Sequence, residues 1–130
     1  YTQSWQKDHR KSLETAYNKS AFFEFYKDDL FVFFEKRFDT LFELNDAILT
    51  LCLRFLNMKP QILLTESYQL NHPENILDLR EVIHPKKTSP ELLKVLPYPQ
   101  VFEDRQAFQP DLSILDLLFS QGPQAYNVLS

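Results

Sequence analysis

AFFEFYKDDLFVFFEKRF, residues 21–38, is the stretch that most constrains the fold. It contains seven phenylalanines, one tyrosine, one leucine and one valine, with charged residues between them. At helical spacing, one face carries Phe23, Tyr26, Leu30, Phe33, Phe34 and Arg37, and its flank carries Phe22, Phe25, Phe31 and Val32. Because a helix that is apolar on several sides is normally enclosed, the pattern predicts a helix over residues 22–38 between two layers.

Length and composition are those of one soluble domain. The chain has 130 residues, of which 44% are hydrophobic and 25% charged. These values predict a single domain over residues 1–130 and exclude an intrinsically disordered chain. A net charge of −4 and a pI near 5.3 argue against nucleic acid as a partner, because nucleic-acid binders usually carry a basic face.

The cysteine content and the short apolar runs indicate the cellular compartment of the protein. Cys52 is the only cysteine, so no internal disulfide can form and a reducing cytoplasm is favoured. No run reaches the ~20 apolar residues of a membrane helix. The chain opens with Tyr1, without the charged and apolar regions of a signal peptide.

Four further helices are predicted around the opening stretch. The first covers residues 5–20, with Ser4 as N-cap. The second begins after Thr40 and ends at Asn57. Its apolar stripe consists of Leu41, Leu44, Ile48, Leu51, Cys52, Phe55 and Leu56. The third covers residues 112–119 after the cap Pro110-Asp111, with Gly122 as C′ residue, and a short helix follows from Pro123 to Leu129.

The middle of the chain has a different pattern. Short branched segments at residues 62–65, 79–83 and 97–102 predict strands, the last at an edge because Pro97 and Pro99 lack donors. Residues 71–75 and 84–90 are polar and proline-containing, as in surface loops. The predicted fold class is therefore mainly α with a few short β-strands: several packed helices plus a proline-rich irregular segment, within a larger domain.

Motifs for common chemistries are missing. A chain with one glycine has no glycine-rich phosphate loop and no nucleophile elbow. The histidines lack the spacing of a preformed zinc site, and Cys52 is interpreted as a core residue because no histidine shares its helix. Asp116 interrupts an apolar run and needs a partner if buried. Capping, or pairing with Arg80 or Arg54, competes with catalysis as its role.

Several strings of residues resemble one protein family. They are W-x3-H…AYNKS at residues 5–20, FFEFY at 22–26, REVIHPKK at 80–87, YPQVF at 98–102 and F-x-P-x-LSILDLLF-x-x-GP at 108–123. Together they resemble the C-terminal portion of the bacterial WbqC-like family over nearly the whole chain, and the last string is the most specific. The family's N-terminal segment has no counterpart here. The resemblance implies that this missing part, or a protein partner, covers the second side of the 22–38 helix.

The resemblance implies a cytoplasmic protein of bacterial surface polysaccharide assembly, including O-antigen gene clusters. One hypothesis is a transferase that places an acyl or aminoacyl group on a nucleotide-activated amino sugar. The other is a non-catalytic module that organises other biosynthetic enzymes. The sequence identifies no cofactor.

For the enzyme, the expected catalytic residues are His9, as general base or sugar-hydroxyl ligand, and Asp116, which orients a partner. The phosphate site is expected to include His84, Lys86 and Lys87, because cations stabilise a pyrophosphate. Tyr98 is expected to bind substrate. His9 also lies in the apolar stripe of its helix, where a packing role is the alternative. The alternative for His84, Lys86 and Lys87 is an exposed, proline-stiffened loop.

Overall fold

A computed structural model describes residues 4–82, 86, 96–110 and 112–129. Those residues form five α-helices and two short 3₁₀ turns. The helices are α1 (Trp5–Tyr17), α2 (Phe23–Phe31), α3 (Leu41–Phe55), α4 (Ile114–Gln121) and α5 (Ala125–Leu129), and the 3₁₀ turns are Val32–Phe34 and Gly122–Gln124. The mainly helical class predicted from the sequence is confirmed.

The core lies between α2, the end of α3, and α4. Its buried members share apolar character and come from widely separated parts of the chain. They are Phe23, Tyr26, Leu30, Phe31, Leu51, Cys52, Leu56, Leu117, Leu118, Phe119 and Ala125. Leu13 and Tyr17 of α1 pack against this cluster from one side. Cys52 is buried, which agrees with its interpretation as a core residue.

The aromatic stretch forms a shorter helix than predicted. Helix α2 ends at Phe31, and Val32–Phe34 tighten into a 3₁₀ turn. A β-branched residue followed by two bulky rings crowds an α-helical turn, and a 3₁₀ turn changes the direction of the following side chains. Phe34 now contacts the ring of His9 on α1, at 6.2 Å between centroids. Most of the aromatic rings are therefore covered within the chain, although Phe25 is 68% exposed.

Helix α3 has well-formed signals at both ends. The Thr40 hydroxyl accepts a hydrogen bond from the Glu43 amide at 3.1 Å, and the Glu43 carboxylate accepts one from the Thr40 amide at 3.2 Å. This reciprocal capping box confirms the predicted start. At the other end, the amide of Asn57 bonds the carbonyl of Arg54, and that of Met58 bonds the carbonyl of Leu53. Asn57 has a φ of 56°, so the helix closes in a Schellman motif.

We expect Asn57→Gly to raise the free energy of unfolding by about 0.5 kcal/mol and Asn57→Val to lower it by about 1–2 kcal/mol. Glycine adopts a positive φ without strain, whereas a β-branched side chain does not. Urea denaturation followed by circular dichroism measures both changes. Asn45→Gly, at an exposed position inside α3, is the control and should destabilise by about 1 kcal/mol. A loss of stability at Asn57→Gly would contradict the Schellman assignment.

The predicted strands are wrong for the described residues. Residues 62–65 have no regular structure, residues 80–82 form a turn, and residues 97–102 form an irregular segment and a turn. Ile83, the last residue of the second candidate, lies outside the described residues. Strands require a neighbour that completes their hydrogen bonds, and the described chain supplies none. Leu63 is 78% exposed and Leu64 is 68% exposed, so these branched residues lie outside the core.

Helix α4 begins later than predicted. Its first residue is Ile114, and Ser113 is the N-cap, whose hydroxyl accepts a hydrogen bond from the Leu115 amide at 3.2 Å. The proposed cap Asp111 lies outside the described residues. Gly122 ends the helix, with φ 55° and ψ −127°. The predicted short helix is present as α5, but it starts at Ala125 after the 3₁₀ turn and not at Pro123.

Candidate functional site

The most distinctive polar group of the fold is the carboxylate of Asp116 in the first turn of α4. Asp116 is 0% exposed, and the residues that follow it in the helix belong to the core. Burying a carboxylate is costly unless it is hydrogen-bonded. Its oxygen Oδ2 accepts a hydrogen bond from the Tyr98 hydroxyl at 2.5 Å and another from Nε2 of Gln100 at 3.0 Å. The irregular segment before α4 therefore supplies the donors that make this burial possible.

Two buried oxygens on α4 are left without such partners. Among the described residues, neither Oδ1 of Asp116 nor Oγ of Ser120 has a hydrogen-bond partner. These two residues are four positions apart, so they lie on the same face of the helix. Tyr17 approaches the same region from α1. Burial, and then the negative charge of Asp116, raise the pKa of Tyr17 above its ordinary value.

Gln100 connects this carboxylate to the rest of the segment. The side chain of Gln100 is buried, and its Nε2 also donates to the carbonyl of Gln109 at 2.9 Å. Its Oε1 accepts a hydrogen bond from the amide of Gln109 at 3.0 Å. One glutamine thus closes the loop between residues 100 and 109 and attaches it to α4. The loop is fixed by side-chain bonds where a strand had been predicted.

Tyr98 lies between the buried carboxylate and an open cleft of about 350 Å³. The cleft is lined by Pro97, Tyr98, Pro99, Glu103, Gln106, Ala107 and Phe108. The rings of Tyr98 and Phe108 form an edge-to-face pair, with 5.1 Å between centroids and 79° between planes. Burial, and then the hydrogen bond to Asp116, raise the pKa of Tyr98 to about 12. The phenol is therefore protonated at neutral pH and donates its proton toward Asp116.

The structure brings together two of the predicted site residues and separates a third. Tyr98 and Asp116 are in direct contact, as described above. His9 is exposed on α1, and its ring contacts are with Trp5, at 5.4 Å between centroids, and with Phe34. The ring of His9 therefore contacts its own helix and the 3₁₀ turn while remaining exposed, and its role stays a prediction. Lys86 is exposed in a turn, whereas His84 and Lys87 lie outside the described residues.

The arginine partners considered for Asp116 pair elsewhere. Arg80 bonds the Asp78 carboxylate at 2.9 Å and 2.6 Å, and this pairing holds the pKa of Asp78 well below its usual range. Arg54 lies 3.9 Å from the carboxylate of Asp29. Oδ2 of Asp116 instead accepts hydrogen bonds from a phenol and an amide. The sequence signal was the acid inside an apolar run, which predicts a partner but does not identify Tyr98 or Gln100.

A second cleft lies beside the N-terminus of α3. Its volume is about 380 Å³, and it is lined by Trp5, Arg37, Phe38, Asp39, Thr40, Leu41 and Leu44. No buried carboxylate is among these residues. Within the described part of the chain, no group of three or more His, Cys, Asp or Glu side chains is arranged to hold a metal ion. The described helices also include none with the length and apolar character that crossing a bilayer requires.

Comparison with known proteins gives one match. The sequence model of the WbqC-like protein family matches residues 1–91, which is well over half of the chain. This range includes α1, α2 and α3, and it ends before Tyr98 and Asp116. No curated protein and no solved structure matches the chain.

Proposed function

The chain belongs to the WbqC-like protein family, and we propose that it takes part in the biosynthesis of bacterial surface polysaccharide of the O-antigen type, in the cytoplasm. Within that process, the proposed reaction is acyl or aminoacyl transfer to a nucleotide-activated amino sugar. The observation that carries the proposal is the position of Tyr98. This residue lines an open cleft and is hydrogen-bonded to a buried carboxylate.

The cleft has the dimensions and lining that suit a sugar. Its volume of about 350 Å³ lies within the range of roughly 300–1,000 Å³ of small-molecule sites. Two aromatic rings and two prolines provide apolar walls, and Glu103 and Gln106 provide polar groups. A pyranose has apolar C–H faces and a rim of hydroxyls, so it requires both kinds of surface. A mostly apolar pocket with a few placed polar groups is the usual form of such sites.

Asp116 acts in this proposal as a positioning residue. It is buried and cannot reach a ligand in the cleft directly, but it accepts the proton of Tyr98 in a hydrogen bond. Gln100 shares the same oxygen of the carboxylate. The phenol is therefore fixed in direction, and its oxygen lone pairs remain to accept a hydrogen bond from a substrate hydroxyl or amine. The proposal does not need His9, whose ring packs against Trp5 and Phe34.

The pyrophosphate of the nucleotide-activated amino sugar, which is the acceptor in this reaction, is assigned to residues 84–87. This sequence combines a histidine with two lysines, and lysine is a common ligand of phosphate groups. Lys86 is exposed in a turn, where a ligand can approach it.

Replacing both Lys86 and Lys87 with alanine is expected to weaken binding of UDP-N-acetylglucosamine about tenfold, because charge-assisted hydrogen bonds to phosphate are lost. The melting temperature should not change, since Lys86 is exposed. Isothermal titration calorimetry measures the affinity, and thermal denaturation checks the fold. The control is the variant Lys7→Ala with Lys59→Ala, which removes two other exposed lysines. If both variants bind as the wild type does, residues 84–87 are not part of the site.

The alternative function is a non-catalytic module that organises glycan-biosynthesis enzymes, and one observation favours it. The described part of the segment between α3 and α4 exposes several large apolar side chains: Leu63 is 78% exposed, Leu64 is 68% exposed and Tyr68 is 77% exposed. Apolar side chains exposed together mark a surface for interaction. A protein partner, or an N-terminal part of the same protein, would cover such a surface. A folded wild-type chain that binds no nucleotide sugar and no acyl donor in the calorimeter would favour this alternative.

A further inference from the structure

We propose that the cleft beside Tyr98 binds a protonated primary amine, namely the free amino group of an amino sugar. This inference rests on the proposed function, and it specifies which chemical group of the substrate the cleft selects. Three properties of the cleft support it: the sign of its charged lining, the hydrogen-bonding capacity of its phenol, and the arrangement of its two rings.

The charged lining of the cleft has one sign. Among the described residues that line it, Glu103 is the only one with a formal charge, and it is negative. Asp116, behind Tyr98, adds a second carboxylate in the buried layer. Asp104 and Arg105 are neighbours of Glu103 in the sequence, but they do not line the cleft. The described lining therefore suits a cationic group, and it offers a phosphate no positive side chain.

The polar atoms that line the cleft are mainly hydrogen-bond acceptors. Tyr98 donates its only hydroxyl proton to Asp116 at 2.5 Å, so its oxygen has only lone pairs left for a ligand. The carboxylate of Glu103 also accepts hydrogen bonds only when ionised. An ammonium group has three donors and no acceptor. It is thus the sugar substituent that matches these atoms. An acetamido group brings a carbonyl, for which Gln106 is the one side-chain amide donor among the described lining residues.

The two rings provide a surface for a cation. Tyr98 and Phe108 meet edge to face at 79°. In such a pair, the ring that presents its edge does not have its own faces covered by the partner ring. The face of an aromatic ring attracts an ammonium group through its quadrupole. A carboxylate beside aromatic faces is a combination suited to amines.

The test uses the full chain, labelled for ¹⁵N–¹H correlation spectra and titrated separately with glucosamine and N-acetylglucosamine. We expect glucosamine to shift the amide signals of Tyr98, Gln106 and Phe108 and to bind at least about fivefold more tightly than the N-acetyl sugar. Glu103→Gln should reduce glucosamine affinity to that of N-acetylglucosamine. Asp104→Asn removes an adjacent exposed carboxylate that does not line the cleft, and it should leave the affinity unchanged.

Three results would overturn the inference. Equal affinity of the cleft for both sugars would show that the cleft does not select the amino group, and the proposed function would stand. An equal loss of affinity from Asp104→Asn and Glu103→Gln would show unspecific attraction to negative charge. If neither sugar shifts the cleft signals, the cleft is not an amine site. The titration with UDP-N-acetylglucosamine then decides separately whether the proposed function survives.

Discussion

Gly122→Ala is expected to lower the free energy of unfolding by about 2–4 kcal/mol. Two costs combine. Gly122 has φ 55° and ψ −127°, a conformation that residues with a side chain rarely adopt. A Cβ atom at this position would also lie 2.5 Å from Cδ1 of Phe22, far inside normal contact distance.

The collision occurs where α2 meets α4. The amide of Phe22 donates to the carbonyl of Phe119 at 2.8 Å, so the backbone that carries the Phe22 ring is held against α4. We expect a melting temperature lower by about 10–15 °C, measured by circular dichroism. Gln121→Ala, one residue earlier at φ −111°, should change stability by less than about 0.5 kcal/mol. A similar small effect at Gly122→Ala would mean that the close approach of Phe22 is not present in solution.

Asp116→Ala is expected to destabilise the fold by about 2–4 kcal/mol. Truncation leaves the Tyr98 hydroxyl and the Gln100 amide without their acceptor in a buried layer. Asp116→Asn should cost less, about 1 kcal/mol, because an amide oxygen can still accept both hydrogen bonds. Chemical denaturation measures both losses.

An optical titration separates the loss of charge from the loss of packing. The pKa of Tyr98 is raised to about 12, first by burial and then by Asp116. Asp116→Asn removes the charge and should lower this pKa toward its ordinary value, which ultraviolet absorbance of the phenolate reports. Tyr98→Phe identifies the signal, since it removes that phenol. Wild-type stability of Asp116→Ala would contradict the assignment of Asp116 as the anchor of the segment before α4.

The sequence predicts the end of a helix correctly where nearby side chains form its cap. Thr40 and Glu43 form the capping box that starts α3, and both signals are visible in the sequence. The end of α2 was not predictable in the same way. The apolar pattern continues through Phe34, and only packing against α1 shows that residues 32–34 turn away from the helix axis. Periodicity indicates which side chains are apolar, but not which neighbour covers each ring.

The irregular segments show where sequence patterns fail. Residues 62–65 have the composition of a buried strand, yet strand formation depends on a partner that sequence alone does not locate. Tyr98 was named as a substrate-binding residue and Asp116 as a residue that needs a partner, but their contact joins positions 18 residues apart through an irregular loop. Gln100 and Tyr17 were missed, because a glutamine and a tyrosine carry no signal of burial beside a carboxylate.

The junction of Phe22 with Phe119 also sets an order of events during synthesis. Ile114 follows Phe31 by 83 positions, so the ribosome must add more than half of the chain before α4 can cover α2. Until then, the rings of Phe23 and Tyr26 lack their final neighbours and are exposed to association with other chains. The contact that completes the core is also among the most distant in sequence, and such contacts slow folding. In the nascent chain, the aromatic helix therefore lacks part of its cover until α4 has been synthesised.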